Sequence, residues 1–231
     1  MKPMKLLLIG VVIAPFFFAM GCGPKHVTKG DKFPLLYQER PVTILVLPPI
    51  NQTTAADAKE YYATTIAEPL SLFGYYVLPI EVTSEILKME GIYDTELLLR
   101  TPPQKFKTYF GADAVLYTTI EQWDVSYLVL SSKLTVAIRC VLKSAVSGET
   151  LWQRRSSVEV DLSGSNQSSA GYLGIVFKVA ATAIKTAMAD YVPYAMQANY
   201  IALATIPAGK YHPMHGKDGN EKFIDQVEAK K

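Results

Sequence analysis

The chain is poor in cysteine, in surplus charge and in long apolar runs. Its two cysteines, Cys22 and Cys140, are too few for a disulfide framework. Lys and Arg number 23 against 21 Asp and Glu, a formal charge of +2. That balance argues against a general binder of nucleic acid or of anionic membrane. No segment supplies the roughly 20 consecutive apolar residues of a spanning helix. Even the apolar-rich stretch Thr186–Ala208 is interrupted by Asp190, Pro193, Gln197 and Asn199, polar groups that a lipid interior penalises. Two signatures of chemistry are missing as well, since neither a G-x-x-x-x-G-K-[ST] phosphate cradle nor a G-x-S-x-G nucleophile elbow occurs.

What is present begins with an export signal. Met1-Lys2-Pro3-Met4-Lys5 is a short basic start, and Leu6–Phe18 then runs thirteen residues without a charge. That core is too short to span a bilayer, and Pro15 interrupts it. Ala19-Met20-Gly21-Cys22 follows, so the segment reads as a cleaved signal peptide. A Cys directly after Gly21 resembles the bacterial lipobox, in which signal peptidase II cuts before a Cys that carries diacylglycerol. Ala19 departs from the Leu usual three positions before that Cys, and Met20 is an unusual neighbour, whereas Gly21 and Cys22 match. The expectation is cleavage between Gly21 and Cys22, with lipid on Cys22. Loss of residues 1–21 removes Lys2 and Lys5 and leaves equal numbers of basic and acidic side chains. Gly23 stands where an Asp commonly retains such proteins in the inner membrane, so the resemblance points to the outer membrane.

Composition then divides the chain. Residues 22–40 open with Gly23 and Pro24 among polar residues and read as a lipidated tether. Residues 41–208 suit a single α/β domain. Residues 209–231 are polar and read as a loosely packed tail.

Within the domain, Val42–Leu47 is nearly continuous in apolar residues, as a central strand buried on both faces would be. A helical stretch spans Ala58–Phe73, with Pro69 inside it and Gly74 at its end. Tyr75–Ile80 is a second strand, so the two strands are expected to close as a parallel pair around the helix. Helical pieces follow at Thr83–Glu90 and Asp94–Leu99. A third, capped by Thr101, runs to Phe110 and stops at Gly111. Ala112–Ile120 is a third strand, with an extension past Trp123 left open. Lys133–Lys143 alternates, placing Leu134, Val136, Ile138, Cys140 and Leu142 on one face. Cys140 is thereby a small buried hydrophobe rather than a catalytic thiol. Ser147-Gly148-Glu149 makes a turn, and Thr150–Leu162 sets Trp152, Ser156, Val158 and Val160 inward. A long helix is expected from near Ala170 to Tyr191, followed by a further helical turn over Tyr194–Ala204.

Few side chains suggest chemistry. His212-Pro213-Met214-His215 with Asp218 offers two imidazoles and a carboxylate, and zinc accepts N and O ligands. Pro213 prevents a regular helix from presenting both rings together, and no further ligand has recognisable spacing. The reading is no metal and no cofactor, with His212, His215 and Asp218 as the candidates if one were held. Glu121 and Asp124 read as solvated edge charges.

Four segments besides the lipobox carry a family resemblance: Val42–Asn51 (VTILVLPPIN), Gly74–Pro79 (GYYVLP), Gly111–Trp123 (GADAVLYTTIEQW) and Leu142–Trp152 (LKSAVSGETLW). Together they resemble the neisserial-antigen type of bacterial lipoprotein, a family of unknown function. More distantly, the element order is similar to the TolB N-terminal domain and to the curli-secretion lipoprotein CsgG. The resemblance implies an α/β (α+β) sandwich, a mixed sheet of about five strands packed by helices, facing the periplasm. CsgG-type pores carry long membrane-crossing strand insertions. Here the link between the third and fourth strands reads as only Asp124–Ser132, with no spare hairpin for a barrel.

The sequence therefore points to a non-enzymatic, lipid-anchored outer-membrane protein. It would serve as a binding or assembly module with protein partners, as a single copy or as a homo-oligomer, and with no nucleic acid. Two other readings stay open: a subunit of a secretion or surface-appendage export machine, and a metal-dependent envelope hydrolase.

Overall fold

The structure, a computed structural model, describes residues 26–92, 95–128, 131–161, 169–170, 176–177 and 191–225. The signal segment, Cys22 and most of the expected long helix lie outside these residues. The chain enters through β1 (His26–Thr28), α1 (Lys29–Lys32) and α2 (Pro34–Glu39). It continues through β2 (Thr43–Val46), β3 (Ile50–Asn51), α3 (Ala58–Ala63), α4 (Ala67–Leu72) and β4 (Tyr76–Val77). Three helices follow, α5 (Ile80–Met89), α6 (Thr95–Leu98) and α7 (Pro103–Phe110). The long strands are β5 (Ala114–Leu128), β6 (Ser131–Ser144) and β7 (Thr150–Asp161). The short pair β8 (Ser169–Ala170) and β9 (Val176–Phe177) comes next, then α8 (Val192–Leu203) and β10 (Lys222–Ile224).

The main sheet has six strands in the order β4-β2-β5-β6-β7, with β3 also on β5. β2 runs parallel to both β4 and β5, while β5, β6 and β7 are antiparallel. The sheet is thus mixed, and the expected sandwich is what forms. β2 shows why two helical layers are needed. Ile44 and Val46 face one core, Leu45 and Leu47 the other, and all four are buried. The first core is closed by α3, α4 and α8, and the second by α5, α6 and α7. Ala195, Ala198 and Ala202 of α8 lie fully buried in the first core. Without larger side chains the helix comes close enough for Ser156 Oγ of β7 to donate to Ala198 O at 2.7 Å.

Several local expectations shift. The stretch Ala58–Phe73 is two helices, with Pro69 in the first turn of α4, where a missing N–H costs nothing. The cap of α7 is Pro102, not Thr101. Pro193 sits in the first turn of α8, where its missing N–H costs nothing. Ser169–Ala170 pairs antiparallel with Val176–Phe177 where a helix was expected to start. Gly171 and Gly174 fall between, and each costs a helix about 1 kcal/mol. The supposed link Asp124–Ser132 is mostly strand, because β5 continues to Leu128 and β6 begins at Ser131. No Gly or Pro occurs from Ala112 to Ser147, so nothing punctuates the hairpin arms. Glu121 is no loose edge charge either. It accepts from Arg139 Nε at 3.0 Å and also pairs with Arg155, lacing three strands together.

The family segments turn out to be structural devices. Gly111 ends α7 in the left-handed region, with φ +69°. Asp113 then accepts the Val42 and Thr43 amides at 3.0 and 2.9 Å, tying the start of β2 to β5, and pairs with Lys107. Burial pushes the Asp113 carboxyl up, but Lys107 and those two amides outweigh it and hold it below its usual value. A depressed carboxyl stabilises the fold above its unfolded value, near pH 4, and that stability is lost as pH falls through the folded value. Asp113→Asn should therefore lower the urea midpoint at neutral pH, and the gap to the native chain should close on acidification below about pH 4. A gap that persists unchanged at low pH would contradict this origin.

The packed unit reaches beyond 41–208 on both sides. β1 pairs antiparallel with β10, His26 opposite Ile224 and Thr28 opposite Lys222. Phe33 stacks on Phe223 at 5.6 Å, and Arg154 lies over the same ring at 5.4 Å. Residues 26–40 are therefore not a free tether, and 209–225 are not a loose tail. The apolar residues Phe33, Leu36 and Phe223 supply the burial that those polar stretches conceal.

Candidate functional site

The chain leaves β2 at Leu47 and meets Pro48 and Pro49, which cannot donate to a continuing ladder. From here α3 and α4 return over the first core to β4 on one side of β2. From β4, α5, α6 and α7 return over the second core to β5 on the other side. The two crossovers diverge at the carboxyl end of β2, which is where open α/β sheets leave a crevice. A cavity of about 560 Å³ lies there, walled by Pro48, Pro49, α3, α5 and α6. Ile66, Leu87 and Leu98 make its interior apolar, and Lys59, Glu60, Glu81 and Lys88 stand among its charged lining. Lys88 already pairs with Glu85 at 3.5 Å. Ser84 lines the crevice, but none of the three histidines does. The arrangement suits retention of an apolar group under a polar rim.

α5 adds a second feature beside this crevice. Ile80, Thr83 and Leu87 are buried, on the inward stripe of an ordinary surface helix. Val82, Ile86 and Met89 form another stripe at the same helical spacing and are 56%, 41% and 82% exposed. Leu97 and Leu99, around the end of α6, are also open to solvent. A helix apolar on two sides usually has a neighbour on each, and this outer stripe is open to solvent. Sequence reading missed the stripe although its spacing is visible from residue 82 to residue 89, because the inward stripe already satisfied a helix assignment.

The residues singled out from sequence lie elsewhere. Asp218 is 1% exposed. Its Oδ2 accepts from Lys29 Nζ at 3.3 Å and from the Ala208 amide at 2.8 Å, and its Oδ1 accepts from Tyr37 at 2.9 Å. His215 Nδ1 lies 2.9 Å from Ala208 O, and His212 Nδ1 accepts the Met214 amide at 3.1 Å. The candidate trio is thus engaged with backbone and with Lys29. Among the described residues, no group of three His, Cys, Asp or Glu is placed to hold a metal ion. Cys140 is buried between Tyr62 and Thr118, and burial pushes its thiol up to about 11. Tyr62 donates to Asn199 Oδ1 at 2.6 Å, and Asn199 donates in turn to Thr65 at 2.9 Å. This network joins α3 and α8 across the first core. No described helix is long and apolar enough to cross a membrane.

Fold and crevice together define a small mixed α/β module with a ligand-sized opening at the ends of its parallel strands. The chain belongs to the family described as "Putative lipoprotein GNA1162-like", whose model matches residues 33–209. It is 33% identical over 187 residues to "Putative lipoprotein NMB1124/NMB1162" of Neisseria meningitidis serogroup B, covering 81% of this chain and 84% of that one. It is also similar to the crystal structure of lipoprotein GNA1162 from Neisseria meningitidis, with a TM-score of 0.53 and 34% identity. That match covers 58% of this chain and 92% of the other. A weaker likeness, TM-score 0.45 at 13% identity over 81% and 94% of the two chains, reaches the PelC dodecamer from Paraburkholderia phytofirmans. It is too loose to bear on how this chain assembles. The lipoprotein relatives imply a membrane-anchored protein of the cell envelope, and neither of their names carries an enzymatic activity.

Proposed function

We propose that this chain is an outer-membrane lipoprotein, held by lipid on Cys22 and facing the periplasm, that acts as a binding and assembly module of an envelope complex. The observation that carries the module reading is the outer stripe of α5. Val82, Ile86 and Met89 stand exposed beside an apolar crevice while Ile80, Thr83 and Leu87 of the same helix are packed inward. Large apolar side chains at the edge of a cleft suit a protein partner that inserts an apolar group and covers the rim. The signal ending in Gly21-Cys22 supports the anchor, and the absence of Asp after Cys22 supports the outer membrane.

One comparison tests both halves. Native protein, Cys22→Ser and Ile86→Asp/Met89→Asp are expressed in the parent cell, fractionated, and purified from detergent-solubilised envelope. The native chain should sediment with outer membranes and bring down one protein in fixed stoichiometry. Cys22→Ser should lose lipid and leave the membranes; its retention there as an embedded species would defeat the anchor. Ile86→Asp/Met89→Asp changes exposed positions, so its stability should stay within about 0.5 kcal/mol per site. It should remain on membranes without the partner. A native chain that purifies as a strict monomer with nothing bound would overturn the module reading.

A further inference from the structure

Only three residues, Gly23, Pro24 and Lys25, separate Cys22 from His26. Fully extended, the four steps from Cys22 to His26 span at most about 14 Å. At His26 the slack ends, because β1 is laddered onto β10. The Lys29 amide donates to Glu221 O and the Gly30 amide to Gly219 O, both at 2.9 Å. Lys29 Nζ sits 3.3 Å from Asp218 and 2.9 Å from Glu221, and Lys32 sits 2.9 Å from Asp225. These contacts pin the entry point to the body.

We propose that the face built from β1, β10 and the loop 217–222 lies against the lipid surface, so that the body has a fixed membrane-proximal side. The inference rests on the lipid being on Cys22. A body held within about 14 Å of its lipid can pivot, but it cannot present its far side to the bilayer. The face suits headgroups rather than acyl chains. Its exposed residues include His26, Lys217, Asn220, Glu221 and Lys222. Its charges nearly cancel, since Lys29 and Lys32 are paired with Asp218, Glu221 and Asp225. The short tether, not attraction to anionic lipid, therefore sets the orientation. Phe223 of β10 packs in the first core and Leu87 of α5 in the second. Ile80 of α5 also reaches the first core, so the separation runs along the sheet: β10 meets Arg154 of β7, α5 packs on β2, and three strand spacings of ~4.8 Å lie between. The outer stripe of α5 is thereby held away from the bilayer.

The test uses the full-length, cell-lipidated protein in phosphatidylcholine vesicles with a nitroxide on some lipid headgroups. Lys222→Cys and Met89→Cys are each labelled with a fluorophore; buried Cys140 stays unmodified. The Lys222→Cys label should be quenched several-fold more than the Met89→Cys label, with or without phosphatidylglycerol. A long Gly/Ser insertion after Gly23 should bring the two close together. Equal quenching on vesicles that carry the protein would overturn the orientation alone. Protein that does not float with the vesicles would remove the lipid anchor, and the orientation with it.

Discussion

Asp218→Ala should lose about 3–5 kcal/mol of folding stability, the cost of leaving one half of a buried ion pair without its partner. Asp218 and Lys29 are 1% and 6% exposed. Removing the carboxylate leaves the ammonium with Glu221, whose side chain is half exposed and gives weaker compensation. It also strips acceptors from the Tyr37 hydroxyl and the Ala208 amide. Such a loss is a large part of the roughly 5–15 kcal/mol that a domain of this kind possesses. Asp218→Asn keeps an oxygen for one of those donors and should cost less. Lys29→Met/Asp218→Leu, which removes both charges, should recover much of the deficit, because a desolvated pair is often no more stable than an apolar one. Urea unfolding at neutral pH gives the stabilities. Hydrogen exchange should show the loss first in residues 26–40 and 209–225. A deficit under about 1 kcal/mol for Asp218→Ala would mean that water reaches the pair and the clasp is weak.

The elements most legible in the sequence are those whose side chains decide their own environment. Ile44 to Leu47 read as a strand buried on both faces because four apolar residues in succession leave no wet side. Leu134, Val136, Ile138, Cys140 and Leu142 read as an inward face because the alternation is regular, and each is fully buried. The clasp was illegible for the opposite reason. Lys29 and Asp218 are polar residues in polar stretches, and only their meeting in space makes them core. Local composition cannot report a pairing between the two ends of a chain. The hairpin of β5 and β6 was underestimated because Asp124, Ser126, Ser131 and Ser132 look like a loop. Each pairs across the ladder, Asp124 with Thr135 and Ser126 with Lys133. Val125 and Leu134 alternate with these polar residues and pack on the first core, while exposed Asp124 lies on the other face. The crevice was hidden for a topological reason. It comes from the divergence of two crossovers at Pro48 and Pro49, and the divergence depends on β4 and β5 flanking β2, an order no single segment encodes.

Gly74→Ala is expected to be the second severe substitution, and it tests whether a family segment is structural. Gly74 has φ +86°, a conformation that costs an L-residue about 1–2 kcal/mol. A Cβ there would lie 2.4 Å from His212 N, 2.6 Å from His212 Cβ and 2.9 Å from Gly209 O. Two of those contacts are backbone, so no rotamer change relieves them, and overpacking adds about 1–3 kcal/mol. The crossing is close because it is hydrogen-bonded: the Gly209 amide donates to Phe73 O at 2.9 Å and the Tyr211 amide to Gly74 O at 3.0 Å. Beside it, Tyr75 donates to Pro207 O at 2.7 Å. Gly74 and Asp218 thus hold one segment at two points, from 209 to 212 and at 218, with His215 against Ala208 between them. If the segment releases as a unit, the double variant Gly74→Ala/Asp218→Ala should be less destabilised than the sum of the singles by more than about 0.5 kcal/mol. Additive losses would mean that the two ends open independently. A Gly74→Ala chain as stable as the native one would show that the crossing yields, and that the glycine of GYYVLP serves something other than the close approach.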